Sequence, residues 1–457
     1  MIKNFLSLLA ALAVAMFLYS VYLHLEVGGE PHYVTSESCE SCHQENYTSW
    51  KANTLHPYMF RPVKSDADIL ADFDNADPKV VTFDKSEIEY VVGNKWEQVY
   101  VRMIDGEYYL LPAKWYVIQK RWVPYKVKDW KETPMSYKCN GCHTTGFDPV
   151  TLKFSEFGIG CEACHGPGST HVERADMSAS ATCAFCHKDD EAAKTLDHTI
   201  IRSVSASVCG QCHNRGTNTA GEAVHANKFN FPVNFSPDGD IEQAMQPSTP
   251  ESDKKGKFWW GSGIAKNRHQ EFSDWGKSKH ASAHRKLMEN AGEGDGRGEL
   301  EERCLKCHST DYRHAKPENR PTLDSAKYGV TCVACHEPHG KDRGKATQED
   351  GTAKCAACHI DSMSHWVAER GETHYPCPTT AVGCADCHMP RMVKTGGFFS
   401  LRSHAFKVVP PDLSKGDKIP NSCQNGGCHE ERTLEWAVEA FERHYPDIRV
   451  DTTAAVK

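Results

Sequence analysis

Basic residues are not in excess in this chain. Its 457 residues include 53 Lys and Arg against 61 Asp and Glu, a formal charge of −8. Nucleic-acid binding calls for a strongly basic face, so this balance argues against it. Apolar residues are scarce at 39%, below the roughly 45–50% of ordinary globular domains. A core this lean has to pack around something other than side chains. Spare cysteine is missing as well: of 21 cysteines, only Cys377 stands outside a recurring motif. That leaves no material for a general disulfide framework. No cysteine precedes Cys39, which argues against a lipoprotein anchor. The one long charge-free apolar run is FLSLLAALAVAMFLYSVYL, residues 5–23.

That run is long enough to cross a bilayer as a helix, and the preceding Lys3 is expected to stay cytoplasmic. Residues 1–27 are therefore expected to form an uncleaved anchor, with all that follows on the extracytoplasmic side (the periplasm). Cleavage as a signal peptide near Ala13-Val14-Ala15 is the alternative.

What is abundant is a single pattern. Nine times the chain reads C-x-x-C-H, and once C-x4-C-H. At this composition chance would yield about 0.05 such five-residue motifs. In chain order, motifs 1 to 5 are Cys39/Cys42/His43, Cys139/Cys142/His143, Cys161/Cys164/His165, Cys183/Cys186/His187 and Cys209/Cys212/His213. Motifs 6 to 10 are Cys304/Cys307/His308, Cys332/Cys335/His336, Cys355/Cys358/His359, Cys384/Cys387/His388 and Cys423/Cys428/His429. Two cysteines followed by histidine mark c-type haem attachment: two thioethers fix the porphyrin, and the adjacent imidazole ligates the iron. A zinc ribbon needs no histidine after every second cysteine, and a thioredoxin-type motif would occur once. Ten copies of haem c are expected, about 46 residues of chain for each, so that the cofactors supply much of the core.

The motifs divide into two groups of five. The expected organisation is an N-terminal five-haem module at 28–213, a connecting segment at 214–268 with turn-forming SPDGD and PSTPESDKKG, and a C-terminal five-haem module at 269–457. A weak internal repeat accompanies it. FGIGCEACHGPG resembles YGVTCVACHEPHG, and YTSWKANTLH, ending at His56, resembles FSDWGKSKH, ending at His280. Within the first module, about residues 60–135, the Val-, Ile-, Tyr- and Trp-rich stretch with Asp105-Gly106 predicts a small inserted β-meander. Leu434, Ala437, Val438 and Phe441 share one helical face and predict a helix over 430–443. The fold class expected is a multihaem cytochrome c: short α-helices and loops wrapped on haems, the β-meander, and the N-terminal transmembrane helix.

Fifteen histidines lie outside the motifs, enough for every iron to gain a second imidazole. The candidate distal ligands are His56, His171, His225, His280, His284, His314, His339, His365, His374 and His404, with His32, His198, His269 and His444 in reserve. Bis-histidine iron has no open position and passes electrons. It also sits at lower potential than His/Met iron. Cys377 reads as a buried inert thiol, with distal ligation as the alternative.

These motifs resemble the exported multihaem cytochrome c superfamily, including the tetrahaem cytochromes of ammonia oxidisers, cytochrome c nitrite reductase and hydroxylamine oxidoreductase. SCESCHQENYTSWKANTLH is similar to the tetrahaem group's motif and following histidine, which implies distal roles for His56 and His280. GIGCEACHGPGSTH implies the same for His171, and CADCHMPR followed by SHAF maps onto His388 and His404. The chain departs from the nitrite reductases, which carry C-x-x-C-K or an equivalent open haem, because all ten motifs here end in histidine. The resemblance implies an electron carrier rather than a catalyst. It would link a quinol-oxidising membrane complex to a periplasmic cytochrome, terminal reductase or outer acceptor in anaerobic or nitrogen/sulfur respiration. The alternative is an oxidoreductase acting on a nitrogen or sulfur oxyanion at one five-coordinate iron.

Overall fold

The computed structural model describes residues 30–173, 200–219, 229–233, 235–291, 302–341, 353–359, 377, 382–417, 419–425 and 428–446. The expected anchor at 5–23 lies outside the described residues, as do Cys183, Cys186 and His187 of motif 4 and the candidate ligands His198, His225, His365 and His374. Among the described residues no helix is long and apolar enough to cross a membrane. The chain forms two compact units: Met1–Val34 with Pro167–Ile200, and Thr35–Gly166 with Ile201–Lys457. In the smaller, His32 N donates to Ser169 Oγ at 3.0 Å. Every described motif belongs to the larger.

The Val- and aromatic-rich stretch folds as a five-stranded antiparallel meander in chain order: β1 (Arg61–Pro62), β2 (Tyr90–Val92), β3 (Glu97–Ile104), β4 (Glu107–Tyr116) and β5 (Arg121–Pro124). Asp105 (φ 51°) and Gly106 (φ 80°) join β3 to β4. Positive φ at both central residues is the two-residue hairpin geometry that matches strand twist. Both faces of the sheet are covered. Val91, Tyr100, Leu111, Ala113 and Trp115 pack with Phe83 on one side, and Phe60, Val99, Val101, Leu110 and Met135 pack on the other. Burial on two sides explains why the strands read as mixed apolar runs rather than strict alternation. A register irregularity between Val99 and Val101 moves Val101 onto the same face as Val99.

Elsewhere the apolar residues gather in small separate clusters, such as Ala206, Ile241, Met245 and Phe272. Short strand pairs brace them: β6 (Thr144–Thr145) with β7 (Glu156–Phe157), β8 (Gly216–Asn218) with β9 (Met245–Pro247), and β10 (Arg391–Thr395) with β11 (Phe398–Arg402). At the β10–β11 turn Gly396 (φ 59°) lies so close to Trp96 that a Cβ would stand 2.7 Å from its carbonyl oxygen. The C-terminal helix is Leu434–His444. It begins later than the periodicity predicts because Thr433 caps it, accepting from Trp436 N at 3.2 Å.

The internal repeat extends to hydrogen bonds. Trp50 Nε1 donates to the Ile159 carbonyl (3.2 Å), and Trp275 Nε1 to that of Val330 (2.8 Å). Ile159 N donates to the His56 carbonyl and Val330 N to that of His280, both at 3.0 Å. Thr145 Oγ1 donates to Gly158 O and accepts from Gly160 N; Thr310 Oγ1 donates to Gly329 O and accepts from Thr331 N. Tyr47 N bonds the His43 carbonyl as Phe272 N bonds that of His213. Motifs 1, 2 and 3 thus correspond to motifs 5, 6 and 7. The second copy opens at motif 5 instead of at residue 269. The stretch 214–268, expected as a connection between five-motif modules, sits inside the second copy, between motif 5 and its helix Glu271–Gly276. It carries β8 and β9. Motifs 9 and 10 follow the duplicated part.

Candidate functional site

Each C-x-x-C-H motif tends to one helical turn. The histidine N–H bonds the first cysteine's carbonyl at His43 (2.9 Å), His165 (3.1 Å), His213 (2.8 Å) and His336 (2.9 Å). In that turn positions i, i+3 and i+4 share a face, so both sulfurs and the imidazole emerge on the same side. Motif 10, with two more residues between its cysteines, forms no helix over its described part, 423–425 with 428–429.

Not every motif residue is enclosed, although cofactor-built cores would lead one to expect it. Cys42 and Cys335 are exposed. Around Cys42 the chain is polar, with Glu40, Ser41, Gln44 and Glu45, so no neighbour in sequence offers it apolar cover; its sulfur lies 3.7 Å from Ser41 Oγ. His429 is exposed too. The longer spacing before Cys428 removes the i, i+4 turn that aims the other motif histidines. At φ 43° His429 instead brings its ring against Trp436, 4.9 Å centre to centre. Among the described residues no second imidazole faces it.

The structure brings three motif imidazoles against three of the candidate distal ones. Ring centres are 6.1 Å apart for His165 and His339, 6.0 Å for His359 and His280, and 6.2 Å for His336 and His404. A single metal ion between two imidazoles, with bonds of about 2 Å on each side and roughly 1.2 Å from nitrogen to ring centre, requires about 6.4 Å. The pairs fit one iron each. Burial lowers the pKa of His143, His165 and His280, and takes His336 to about 4, favouring the neutral form that ligates metal.

Ring orientation is set from outside each pair. The Nδ1 atoms of His165, His143, His308 and His404 face the carbonyls of Ile201 (2.7 Å), Met59 (3.1 Å), Ala283 (3.2 Å) and Arg402 (3.2 Å). Such contacts place the proton on Nδ1 and leave Nε2 for metal. Asp274 holds the backbone of His404: its carboxylate accepts from His404 N (2.6 Å), Ser403 Oγ (2.8 Å) and Ala265 N (3.1 Å). Two imidazoles face carboxylates instead. His339 Nδ1 donates to Glu337 Oε1 at 2.8 Å, and His213 Nδ1 lies 3.5 Å from Glu271 Oε2. Burial opposes charge on both His213 and Glu271, but their mutual attraction outweighs it, raising His213 to about 9 and lowering Glu271 to about 2.

Other candidates are placed differently. His284 Nε2 meets the Leu323 carbonyl (3.3 Å) and His314 Nε2 that of Val333 (3.2 Å), with no second imidazole against either ring among the described residues. His56 opens the 3-10 turn His56–Tyr58 beside motif 3, and His171 lies in the smaller unit. His269, a reserve, is held with Nδ1 3.3 Å from the Cys212 carbonyl. His444 ends the C-terminal helix. The carboxylates of Glu271, Glu337 and Asp274 were not foreseen. Only Glu337 had a local signal, lying directly between His336 and the next histidine.

Sulfurs of different motifs also meet. Cys39 is within hydrogen-bonding reach of Cys161, Cys142 of Cys212, Cys209 of Cys332, Cys307 of Cys358 and Cys355 of Cys384. Cys164 lies near Cys209, Cys335 near Cys358, and Cys387 near both Cys423 and Cys377. Attachment points for all the described motifs therefore adjoin one another in a continuous, branched series.

Residues 118–166 and 266–337 match the family described as cytochrome c554 and c-prime, and 325–364 match the doubled CXXCH motif. The chain is a multihaem c-type cytochrome. Among solved structures the cytochrome is similar to the outer cell wall cytochrome OcwA, at 27% identity and a TM-score of 0.72, over 91% of this chain and 87% of that one. It also shares a fold with the undecahaem cytochrome from the S-layer of Carboxydothermus ferrireducens, at 20% identity and a TM-score of 0.52, over 92% of this chain and 61% of that one. No curated protein sequence matches it.

Proposed function

We propose that this cytochrome is a ten-haem electron conduit of the cell envelope, fixed to the cytoplasmic membrane by residues 5–23, taking electrons from a quinol-linked donor and delivering them to an acceptor beyond the membrane. The observation that carries this reading is the continuous series of adjoining attachment cysteines from Cys39 to Cys428. Bound haem supplies a one-electron ferric/ferrous couple at each site. The chain's part is to hold these couples side by side, to close each iron with imidazoles such as His339, His280 and His404, and to set potentials through what those imidazoles touch. The likeness to an outer cell wall cytochrome supports an acceptor outside the cell. Cys377, beside the cysteines of motifs 9 and 10, is left without a redox role.

The test uses the full-length protein in lipid vesicles containing a naphthoquinol, with a ferric chelate outside. Ten haems per chain, low-spin ferric signals and quinol-dependent reduction of the chelate are expected. A high-spin iron that binds nitrite or hydroxylamine would overturn the conduit in favour of an oxyanion-converting enzyme.

A further inference from the structure

Motif 5 occupies a special place in the series. Its Cys212 adjoins Cys142 of motif 2, its Cys209 adjoins Cys332 of motif 7, and Cys164 of motif 3 is close by. It is also where the second copy of the repeat begins, so motif 5 is the junction between the copies.

Its histidine has an unusual neighbour. Glu271 Oε2 is buried, bonds to no hydrogen-bond donor, and lies 3.5 Å from His213 Nδ1. The carboxylate is held there by its flanks: Phe272 N donates to the His213 carbonyl at 3.0 Å, and Ser273 Oγ donates to Asn214 Oδ1 at 2.6 Å. The first copy supplies an internal comparison. Tyr47 there corresponds to Phe272, so Asn46 stands where the second copy has Glu271. At four other histidines Nδ1 faces a backbone carbonyl. Glu337, on His339, differs because its carboxylate is shared with the backbone N–H groups of His339 (3.2 Å) and Lys341 (2.7 Å).

We propose that Glu271 is a positioning and tuning residue for His213, and that it makes the junction iron the low-potential site separating the two copies. A carboxylate on Nδ1–H gives the imidazole imidazolate character, and the more basic ligand stabilises ferric over ferrous iron. Electrons entering either copy then settle within it and cross the junction only when the donor is strongly reducing. The proposal rests on the haem-conduit reading, with motif 5 loaded.

Redox titration of the full-length holoprotein, followed optically and by EPR, tests it. In E271Q one midpoint rises so that the ferric-to-ferrous ratio at fixed potential falls about tenfold, equivalent to about 59 mV for one electron. The remaining midpoints and the haem count stay as they were. E271N, which copies Asn46, does the same, and E271D restores the low value. Unchanged midpoints with all haems in place would overturn the proposal. Should the variants lose haem, the wild-type EPR spectrum decides: one low-spin signal with the reduced g-anisotropy of an imidazolate-type ligand supports the proposal, and its absence overturns it. A C209A/C212A variant separates the two layers. Loss of one haem shows that motif 5 is loaded, whereas no loss removes the proposal together with the reading beneath it.

Discussion

The imidazoles of His165 and His339 lie 6.1 Å apart, centre to centre, with planes only 11° from parallel, although one belongs to the first copy of the repeat and the other to the second. A shared iron would tie the two copies together by a coordinate link. Replacing His339 by alanine is expected to turn one low-spin iron high-spin, and replacing it by methionine to raise one midpoint, since a thioether ligand favours ferrous iron. EPR and redox titration of the two variants check this; spectra identical to wild type would remove His339 as a ligand.

The planes of His280 and His359 stand at 69°. Near-parallel imidazoles give a rhombic low-spin ferric spectrum, whereas near-perpendicular ones give a highly anisotropic signal with one large g value. The wild-type EPR spectrum should contain both kinds, and H280A should abolish a signal of the second kind while sparing the rhombic one.

Phe60 is fully buried and meets Tyr108 and Phe157 edge-on, with ring centres at 5.2 and 5.1 Å. Phe60→Ala should destabilise the meander by about 3–5 kcal/mol. Hydrogen exchange would show this as faster exchange confined to β2–β4, with the haem count unchanged.

Glu97 of β3 is flanked by Lys114 (2.7 Å) and by Arg268, beside His269. Burial alone would raise its pKa, but Arg268 and Lys114 together bring it below the ordinary carboxylate value. The stabilisation is therefore complete above about pH 4.5 and is lost as pH falls through the lowered value. E97Q strands the two cations and should cost about 3 kcal/mol near neutrality. The gap in melting temperature between wild type and E97Q should narrow on acidification below pH 4.5; a gap that stays constant with pH would refute the assignment.

Glu156 has the opposite sign. Burial raises it to about 7 despite two hydrogen bonds from Ser36. The folded state then holds a proton that the unfolded state has released, so this group's contribution to stability declines as pH rises from about 4.5 to 7. E156Q should flatten that decline in melts recorded across the range.

What the sequence by itself determined is the local chemistry. A C-x-x-C-H run needs only one helical turn to set two sulfurs and an imidazole on one side, and Asp105-Gly106 needs only its own dihedral preferences to close the β3–β4 hairpin. Repeated phrases around Trp50 and Trp275 also revealed the duplication, though not where its second copy begins. That depended on the Phe272 N–H bonding the carbonyl of His213, across an insertion of more than fifty residues. The pairing of His165 with His339, or His336 with His404, was likewise closed to sequence. Any free histidine has the right chemistry, and only the packing of the two copies decides which ring arrives. The same holds for Glu271, an ordinary glutamate in the sequence. Tertiary structure buries its Oε2 against His213, where removal from water makes its charge count.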